Sequence, residues 1–292
     1  MNLIKPYFEI IEQQSGLEGM YKQIELSGRV AYKSEDKITE DSYKGFVDRI
    51  IKLNHGAVLE HGTVYLKIPI YAATSYKIDN YKNNPYSKTQ INMDGESYYY
   101  VTTNMRVLVE HSWLDDLKYL CEPTKYHEKR ICVKFICDRG ISHEFVRHRT
   151  FSFLMESTRY CNYSKNKFGN ELTFIQPLWL EGSPDSPSAH RAYDYLYNET
   201  YLEENIADED RFIFGLVAIE DIYLKLINQG WKPQEARAIL PNSLKTELIM
   251  TGFVSDWEYF FKLRDAGSAH PQAQELAKPL HEEFIRRNYV ND

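Results

Sequence analysis

Apolar residues recur along the chain with two periods, and the two periods alternate. Residues 18–33 and 40–54 place apolar side chains three or four positions apart, which predicts two amphipathic helices. Thr63–Ile70 and Ile131–Cys137 alternate apolar and polar positions, which predicts strands. Helical spacing returns in the second half of the chain and predicts four helices: 188–206, 209–229 ending at Gly230, a helix that opens with a capping box at Ser255-Asp256-Trp257-Glu258 and runs toward Arg264, and Pro271 to about Asn288.

Between the two predicted strands lies a polar stretch, 72–128, that is rich in Tyr and Asn. Within it, Val101–Glu110 fits a strand or a helix equally well, and a helix is predicted at 112–121. A second loop-rich stretch, 164–187, is punctuated by Gly and Pro. Because strands and helices are mixed along the chain, we predict a single α+β domain over 1–292, with a central sheet wrapped by helices.

Composition limits the class of protein. The chain has 292 residues, of which 43% are hydrophobic, enough for a substantial core. Its formal net charge of -7 argues against a general nucleic-acid binder, so an anionic ligand would need a local concentration of arginine. The four cysteines form no C-x-x-C pair and no metal spacing, no signal peptide opens the chain, and no apolar run reaches the length of a membrane span. We therefore expect a cytoplasmic protein with reduced thiols and no metal or membrane partner.

The segment Arg147–Tyr160 concentrates the candidate chemistry. It holds three arginines, a histidine, hydroxyls and a carboxylate inside a run, Ile141–Phe168, that lacks Gly and Pro and so predicts mostly helix; Asp138-Arg139-Gly140 predicts the turn before it. Large apolar neighbours predict burial on most sides: Phe145, Val146, Phe151, Phe153 and Leu154. Arginines held against a core grip flat anionic groups, because the guanidinium fork matches phosphate and carboxylate edges. The alternative is a buried ion-pair network that includes Glu144 and Glu156.

The same segment resembles the signature of flavin-dependent thymidylate synthases, in which R-H-R is followed by Ser and then by S-x-R-Y. Other segments resemble those of the family in the same order along the chain: Gly28–Tyr32 (R-V-[SA]-Y), His55–His61 (H-x4-E-H), Glu235–Pro241 (A-R-x-x-L-P), and Leu263-Arg264 with Ala269–Gln272 (L-R…A-H-x-Q). The resemblance implies an α+β fold with a central, mainly antiparallel sheet wrapped by helices. It also implies that 72–128 is an insertion, which we expect to cover one side of the site.

The resemblance further implies methyl transfer to a pyrimidine nucleotide. Members of the family methylate dUMP to dTMP with 5,10-methylenetetrahydrofolate as carbon donor, FAD as redox carrier and NADPH as reductant, without a protein nucleophile. An arginine stabilises the uracil ionised at N3, and Arg264 matches its position. Taken alone, Arg264 is also explained as an arginine that satisfies carbonyls at a helix C-terminus. Ser157 and Cys161 carry candidate nucleophilic groups, but no His or Asp stands at a spacing that argues for activation of either.

The remaining site residues follow from the resemblance position by position. FAD contacts are assigned to His55, Ala57, Arg147, His148, Arg149, Met155, Phe253 and Tyr259. Contacts with dUMP are assigned to Glu144, Arg147, Glu156, Ser157, Thr158, Arg159, Arg237 and Arg264. Met155, Phe253 and Tyr259 depart from the residues usual in the family. His55 also fits a structural histidine, Arg237 a surface charge, and the role of His270 stays open. No glycine-rich dinucleotide or phosphate loop is present.

Two rival functions stay open: a flavin-dependent nucleotide hydroxymethylase and a non-catalytic nucleotide-binding homologue. The second would not need Arg264 or His55, yet both are present. The resemblance implies a homotetramer with sites shared between chains, in which Ser157–Arg159 comes from one chain and Arg237 with Arg264 from another. The expected partners are small molecules rather than nucleic acid.

Overall fold

Strands and helices alternate along the chain, as its two hydrophobic periods predict. The computed structural model describes residues 1–72, 75–93, 97–180 and 207–291. The strands of this part are β1 (Asn2–Ile4), β2 (Tyr7–Ile11), β3 (Thr63–Pro69), β4 (Lys88–Asn92), β5 (Tyr98–Asn104), β6 (Arg130–Asp138), β7 (Ser152–Met155), β8 (Thr173–Ile175) and β9 (Lys245–Phe253). The α-helices are α1 (Gly16–Tyr32), α2 (Ser42–Lys52), α3 (Gly56–Leu59), α4 (Ser75–Asn83), α5 (Met105–Glu110), α6 (Arg139–Phe145), α7 (Asp208–Asn228), α8 (Pro233–Ala236), α9 (Val254–Arg264) and α10 (Pro271–Arg286).

The central sheet is antiparallel throughout, with the strand order β2-β6-β9-β7. β6 and β9 pair along their whole length, from Arg130 opposite Phe253 to Asp138 opposite Lys245. Nearly all of their side chains are buried, because helices cover both faces. β7 forms one edge of this sheet, with Ser152 opposite Thr251, and so presents the arginine-rich segment at the edge. The predicted α+β fold, with an antiparallel sheet wrapped by helices, is confirmed.

Each face of the central sheet has its own core. On one face, alternate residues of β6, including Phe135, pack against α9 and α10, where Trp257 and Phe260 are fully buried. On the other face, Val30 of α1 packs against Ile249 of β9. Burial of each large apolar side chain contributes about 1.5–3 kcal/mol. These two cores therefore fix the sheet from which the candidate site projects.

A second antiparallel sheet, with the strand order β3-β5-β4, packs on α1 and α2. Its strands β4 and β5 both come from the polar stretch 72–128. Val101–Glu110 is both strand and helix, because β5 ends at Asn104 and the Asn104 side chain caps α5 by accepting the Val107 N–H at 3.2 Å. That this stretch is an insertion stays a prediction. β1 and β8 form a separate parallel pair.

Most predicted elements form where the spacing placed them. α1 and α2 match 18–33 and 40–54, and β3, β6 and α10 match their predicted ranges. α7 ends before Gly230, whose φ of 95° lies in the region that favours glycine. The predicted helix at 188–206 lies outside the described residues. No described helix is both long enough and apolar enough to cross a membrane.

The arginine-rich segment is not the long helix that its lack of Gly and Pro predicts. α6 ends at Phe145, a turn carries Arg147 to Thr150, and Ser152–Met155 forms β7. Phe153 favours extended backbone, and pairing with β9 satisfies backbone groups of β7. The helix prediction was wrong at this point because the tertiary partner of the segment decides its conformation.

Two other predicted helices also differ in their extent. The helix predicted at 112–121 is a shorter 3-10 helix, Leu114–Tyr119. α9 begins two residues earlier than the predicted capping box, with Phe253 as its N-cap residue. The Asp256 carboxylate accepts the Phe253 N–H at 3.1 Å, so Asp256 stabilises this end in the way predicted for Glu258.

Candidate active site

The arginine-rich segment leaves the central sheet at the end of β7 and enters a surface cleft, here called the motif cleft. The motif cleft has a volume of about 260 Å3 and is lined by Ala31, Tyr32, Arg139, Met155, Glu156, Ser157, Thr158, Arg159, Tyr160 and Arg237. The Ser157 N–H donates to the Ala31 carbonyl at 3.1 Å, which holds the segment against the end of α1. The cleft is therefore framed by the edge of the central sheet and by α1.

Arg237 lies in this cleft beside Ser157, Thr158 and Arg159, the residues predicted to bind the nucleotide. Thr158 is buried, and its Oγ1 accepts a hydrogen bond from Arg237 Nη1 at 3.4 Å. Arg237 begins the 3-10 helix that follows α8, and its side chain is exposed. The structure thus brings Ser157, Thr158, Arg159 and Arg237 together within one chain. This differs from the expectation that Arg237 reaches the site from a second chain.

Two exposed tyrosines stand beside the arginines of the motif cleft. Tyr32 is 39% exposed and Tyr160 is 57% exposed, and their ring centroids lie 5.4 Å apart. The guanidinium of Arg159 lies over the Tyr160 ring at 5.2 Å from its centroid. Aromatic rings offer stacking surfaces to a heteroaromatic base, and guanidinium groups offer paired donors to a phosphate.

Glu156 lines the motif cleft, but its carboxylate belongs to an internal charge network. It is 2% exposed and accepts hydrogen bonds from Tyr163 Oη and Lys245 Nζ, both at 3.0 Å. Lys245 and Lys33 also both bind Glu247. Burial would raise the pKa of Glu247, but the two lysines outweigh it and hold that pKa below its usual value. The ion-pair network considered for Glu156 exists, with Lys245 rather than a motif arginine as partner; contact between Glu156 and dUMP stays a prediction.

Arg264, the predicted catalytic arginine, is the last residue of α9 and is not among the residues that line the motif cleft. Its Nη1 donates to the Glu144 carboxylate at 2.6 Å, and its Nη2 donates to the Glu144 carbonyl at 2.8 Å. Glu144 stands in the last turn of α6. Arg264 therefore satisfies the C-terminal end of a neighbouring helix rather than of its own. Its Nε donates to Nε2 of His148 at 3.0 Å.

His148 is buried and neutral at physiological pH. Its ring centroid lies 5.1 Å from that of Phe260 and 6.3 Å from that of Tyr259. Burial, followed by the positive charges of Arg264 and Arg147, lowers the pKa of His148 to about 4. Nε2 is therefore the acceptor for Arg264, and the ring proton is on Nδ1.

Other predicted flavin contacts lie on the turn that carries His148 and on α9 or its N-cap. Arg147 and Arg149 are exposed on the turn between α6 and β7, and neither guanidinium makes a hydrogen bond or ion pair with a described residue. Tyr259 is 58% exposed on α9, whereas Phe253 is buried at the start of that helix. Charged donors and an exposed ring are therefore available around His148, while Phe253 offers packing.

His55 and Ala57 lie on a separate short helix. His55 is the N-cap residue of α3, and both side chains are exposed. Arg130 links this region to the motif strand: its Nη1 donates to the Glu60 carbonyl at 3.0 Å, and its Nη2 donates to Ser152 Oγ at 3.2 Å. Arg130 is buried, and among the described residues no carboxylate forms an ion pair with it. Its guanidinium is held by neutral oxygens.

His270 is explained by its place in the fold. It is the exposed N-cap residue of α10, where its Nδ1 accepts the Gln272 N–H at 3.3 Å. Its ring is edge-on to Trp179, with centroids 6.2 Å apart. The described residues contain no group of three His, Cys, Asp or Glu side chains placed to hold a metal ion.

Arg139, Tyr32 and Lys245 belong to the cleft or its supporting network but were not predicted as site residues. Arg139 fits a turn in the sequence, whereas it is the first residue of α6, and Asp138 caps that helix by accepting the Ile141 N–H at 2.8 Å. A charged residue directly after a buried strand is the signal that would have identified it. Lys245 carries no comparable local signal.

Residues 128–287 match the model of a protein family described as thymidylate synthase complementing protein. The matched range contains the arginine-rich segment, Arg237 and Arg264. It does not contain Gly28–Tyr32 or His55–His61. The match therefore covers the central sheet from β6 onward, the motif cleft residues that follow β7, and Arg264 at the end of α9.

Curated relatives carry the name flavin-dependent thymidylate synthase. The chain is 27% identical over 154 residues to that of Pyrococcus furiosus, covering 53% of each protein. It is 26% identical over 147 residues to that of Mycolicibacterium gilvum, covering 48% of this chain and 50% of the other. It is 25% identical over 149 residues to the probable enzyme of Paramecium bursaria Chlorella virus 1, covering 51% and 62%. The chain spans about half the length of the curated relatives it matches.

Among solved structures, the chain is similar to the UMP/dUMP methylase PolB from Streptomyces cacaoi, bound with 5-Br dUMP. The alignment covers 98% of this chain and 93% of the other, at 15% identity and a TM-score of 0.42.

Proposed function

Because the chain belongs to the thymidylate synthase complementing protein family, we propose that it is a flavin-dependent thymidylate synthase. In this reaction dUMP is methylated to dTMP, with 5,10-methylenetetrahydrofolate as carbon donor, FAD as redox carrier and NADPH as reductant. The observation that carries the proposal is the motif cleft, where Ser157, Thr158, Arg159 and Arg237 line one space within the chain.

The chemistry of the motif cleft suits a nucleoside monophosphate. Arg159 and Arg237 supply positive charge, and neither forms an ion pair with a described carboxylate. Ser157 and Thr158 supply hydroxyl groups, and the tyrosine rings suit a pyrimidine. Since the whole chain carries a net charge of -7, this local positive charge is a property of the cleft rather than of the general surface.

The residues around His148 fit a flavin. Arg147 and Arg149 offer exposed guanidinium groups to a pyrophosphate, and Tyr259 offers an exposed ring. In the proposal His55 and Ala57 approach the same cofactor from α3, and Met155 approaches it from the end of β7. Phe253 supports the site from the core. When bound, FAD would supply the redox chemistry that these side chains lack.

In the proposed reaction, Arg264 stabilises the uracil ring ionised at N3. A guanidinium beside the ring favours the anion by Coulomb attraction, which is strong where water is excluded. Glu144 orients this guanidinium through two hydrogen bonds. Arg264 does not line the motif cleft of its own chain, so the proposal takes Arg264 from a neighbouring copy in a homotetramer with shared sites.

The proposal needs no protein nucleophile. Cys161 is 1% exposed, and burial together with the negative charge of Glu156 raises the pKa of its thiol to about 12. No described side chain hydrogen-bonds to the Ser157 hydroxyl, so none of the described residues is placed as its base.

The test is the visible absorption spectrum of the purified protein, followed by NADPH oxidation and mass spectrometry of the nucleotide product. We expect a flavin spectrum, NADPH oxidation that depends on dUMP and methylenetetrahydrofolate, and dTMP as the product. A hydroxymethylated product would identify the hydroxymethylase instead. Binding of dUMP without turnover would identify the non-catalytic homologue, and a colourless protein that binds no FAD would overturn the proposal.

A further inference from the structure

Arg139 lines the motif cleft with a guanidinium that has no partner among the described residues. Its main chain is fixed at the junction of β6 and α6, where the Arg139 N–H donates to the Asn242 carbonyl at 2.8 Å. Its Nη1 is buried and has no hydrogen-bond acceptor. A charged nitrogen removed from water without an acceptor costs free energy, which an acceptor on a ligand would recover.

Two carboxylates in the same part of the fold as Arg139 already accept hydrogen bonds from other groups. Glu156, which lines the same cleft, accepts from Tyr163 and Lys245 with its two oxygens. Asp138, the preceding residue, gives one oxygen to a backbone N–H of α6 and the other to a side chain of α10. Among the described residues, no carboxylate forms an ion pair with Arg139.

We propose that Arg139 binds the phosphate group of the nucleotide, together with Arg159 and Arg237. This inference rests on the proposed function, in which the motif cleft holds a nucleoside monophosphate. A phosphate dianion presents several acceptor oxygens, and three guanidinium groups around one space match both its charge and its geometry. Arg139 directly follows a central strand, so the core of the sheet fixes its main chain at the cleft.

The experiment compares the binding of dUMP and of deoxyuridine by isothermal titration calorimetry, using the full chain with its bound cofactor. The ratio of the two affinities isolates the contribution of the phosphate group. Arg139→Met keeps the apolar stem and removes the charge, and Arg139→Lys keeps the charge but removes the fork. Arg49→Met is the matched control, because Arg49 is an exposed arginine of α2 that lies over the Phe46 ring outside the cleft.

We expect Arg139→Met to weaken dUMP binding roughly 10- to 100-fold, the loss typical of one charge-assisted contact, while deoxyuridine binds as in the wild type. The ratio of dUMP affinity to deoxyuridine affinity should therefore fall by the same factor. Arg139→Lys should restore part of the ratio, and Arg49→Met should leave it unchanged. The melting temperature of the nucleotide-free protein should not fall in Arg139→Met, because the substitution removes a charge without an acceptor. An unchanged ratio, or an equal loss of dUMP and deoxyuridine affinity together with a lower melting temperature, would overturn the assignment.

Failure of the proposed function gives a different result. A wild-type protein that binds no dUMP overturns the proposed function, and inorganic phosphate alone then decides the role of Arg139. Weaker phosphate binding by Arg139→Met than by the wild type supports an anion site at Arg139. Equal phosphate binding by both proteins, or none by the wild type, overturns it.

Discussion

Arg264 donates a hydrogen bond through Nε to Nε2 of His148, at 3.0 Å, across 116 positions of the chain. The bond joins the end of α9 to the arginine-rich segment and requires His148 to be unprotonated at Nε2. The low pKa of His148, about 4, agrees with that requirement. His148 therefore stays neutral and accepts this hydrogen bond over the physiological range.

The first prediction concerns the pH dependence of stability. His148 has a pKa of about 4 in the folded protein and about 6.5 when unfolded, so the unfolded chain binds more protons between these values. Stability from this group is therefore present above pH 6.5 and is lost as the pH falls toward 4. We expect the free energy of unfolding, measured with urea, to fall between pH 7 and pH 5. This fall should be about 2 kcal/mol smaller in His148→Gln than in the wild type. An identical loss in both proteins would show that His148 does not titrate in this way.

The second prediction concerns Arg264. Arg264→Ala should lower kcat roughly 100- to 1,000-fold at saturating dUMP, because it removes a charge-assisted contact from the proposed transition state. Flavin content should change little. Lys262→Ala, an exposed substitution two residues earlier in α9, is the control and should retain turnover. Near-normal kcat in Arg264→Ala would remove Arg264 from the mechanism.

The third prediction concerns the absence of a nucleophile. Cys161→Ala and Ser157→Ala should both retain measurable turnover, since neither side chain is activated for attack. Loss of the Ser157 hydroxyl should raise KM more than it lowers kcat, as expected for a binding contact. A covalent adduct of either residue with 5-fluoro-dUMP, detected by mass spectrometry, would contradict this.

The fourth prediction concerns the charge network behind the motif cleft. Lys245→Met leaves Glu156 and Glu247 without a shared cation, and breaking a buried pair of this kind costs about 3–5 kcal/mol. Lys225→Met is the control, since it breaks a salt bridge with Asp221 in which Lys225 is largely exposed, and it should cost less than about 1 kcal/mol. Urea unfolding measures both. Equal small losses would show that the network contributes little to stability.

The fifth prediction concerns assembly. If Arg264 reaches the motif cleft of a neighbouring copy, Arg159→Ala and Arg264→Ala damage contributions from different chains. Random mixing of equal amounts should then leave about a quarter of the sites intact. Co-expression of the two variants should recover activity well above that of either alone. A mixed oligomer with only the average activity of its parents would show that the site is built within one chain.

Sequence periodicity identified the elements that bury a regular face. α1, α7 and β6 form where their spacing predicts them, because a periodic apolar face is visible in the local sequence. β7 was missed because four residues carry little periodicity and their strand state depends on pairing with β9, far along the chain.

The candidate site was only partly accessible from the sequence. The motif drew attention to Ser157–Arg159, and the structure adds Arg237 to the same cleft. The engagement of Glu156 by Lys245 could not be predicted, since a strand pairing brings the lysine to its partner. Arg139 was missed for a different reason: its importance lies in the lack of a partner, which only the packed structure reveals.

Arg130 links the two antiparallel sheets through hydrogen bonds of its guanidinium. One of its nitrogens donates to the Glu60 carbonyl just before β3, another donates to Ser152, the first residue of β7, and the side chain is largely buried. Separation of the two sheets would break the hydrogen bonds of the Arg130 guanidinium on both sides. A partly opened interface between the sheets is therefore high in energy. Residues 55–61 and 147–160 should therefore keep their relative position during thermal fluctuations and should unfold cooperatively. Amide hydrogens on both sides of this interface would then exchange with a single opening free energy.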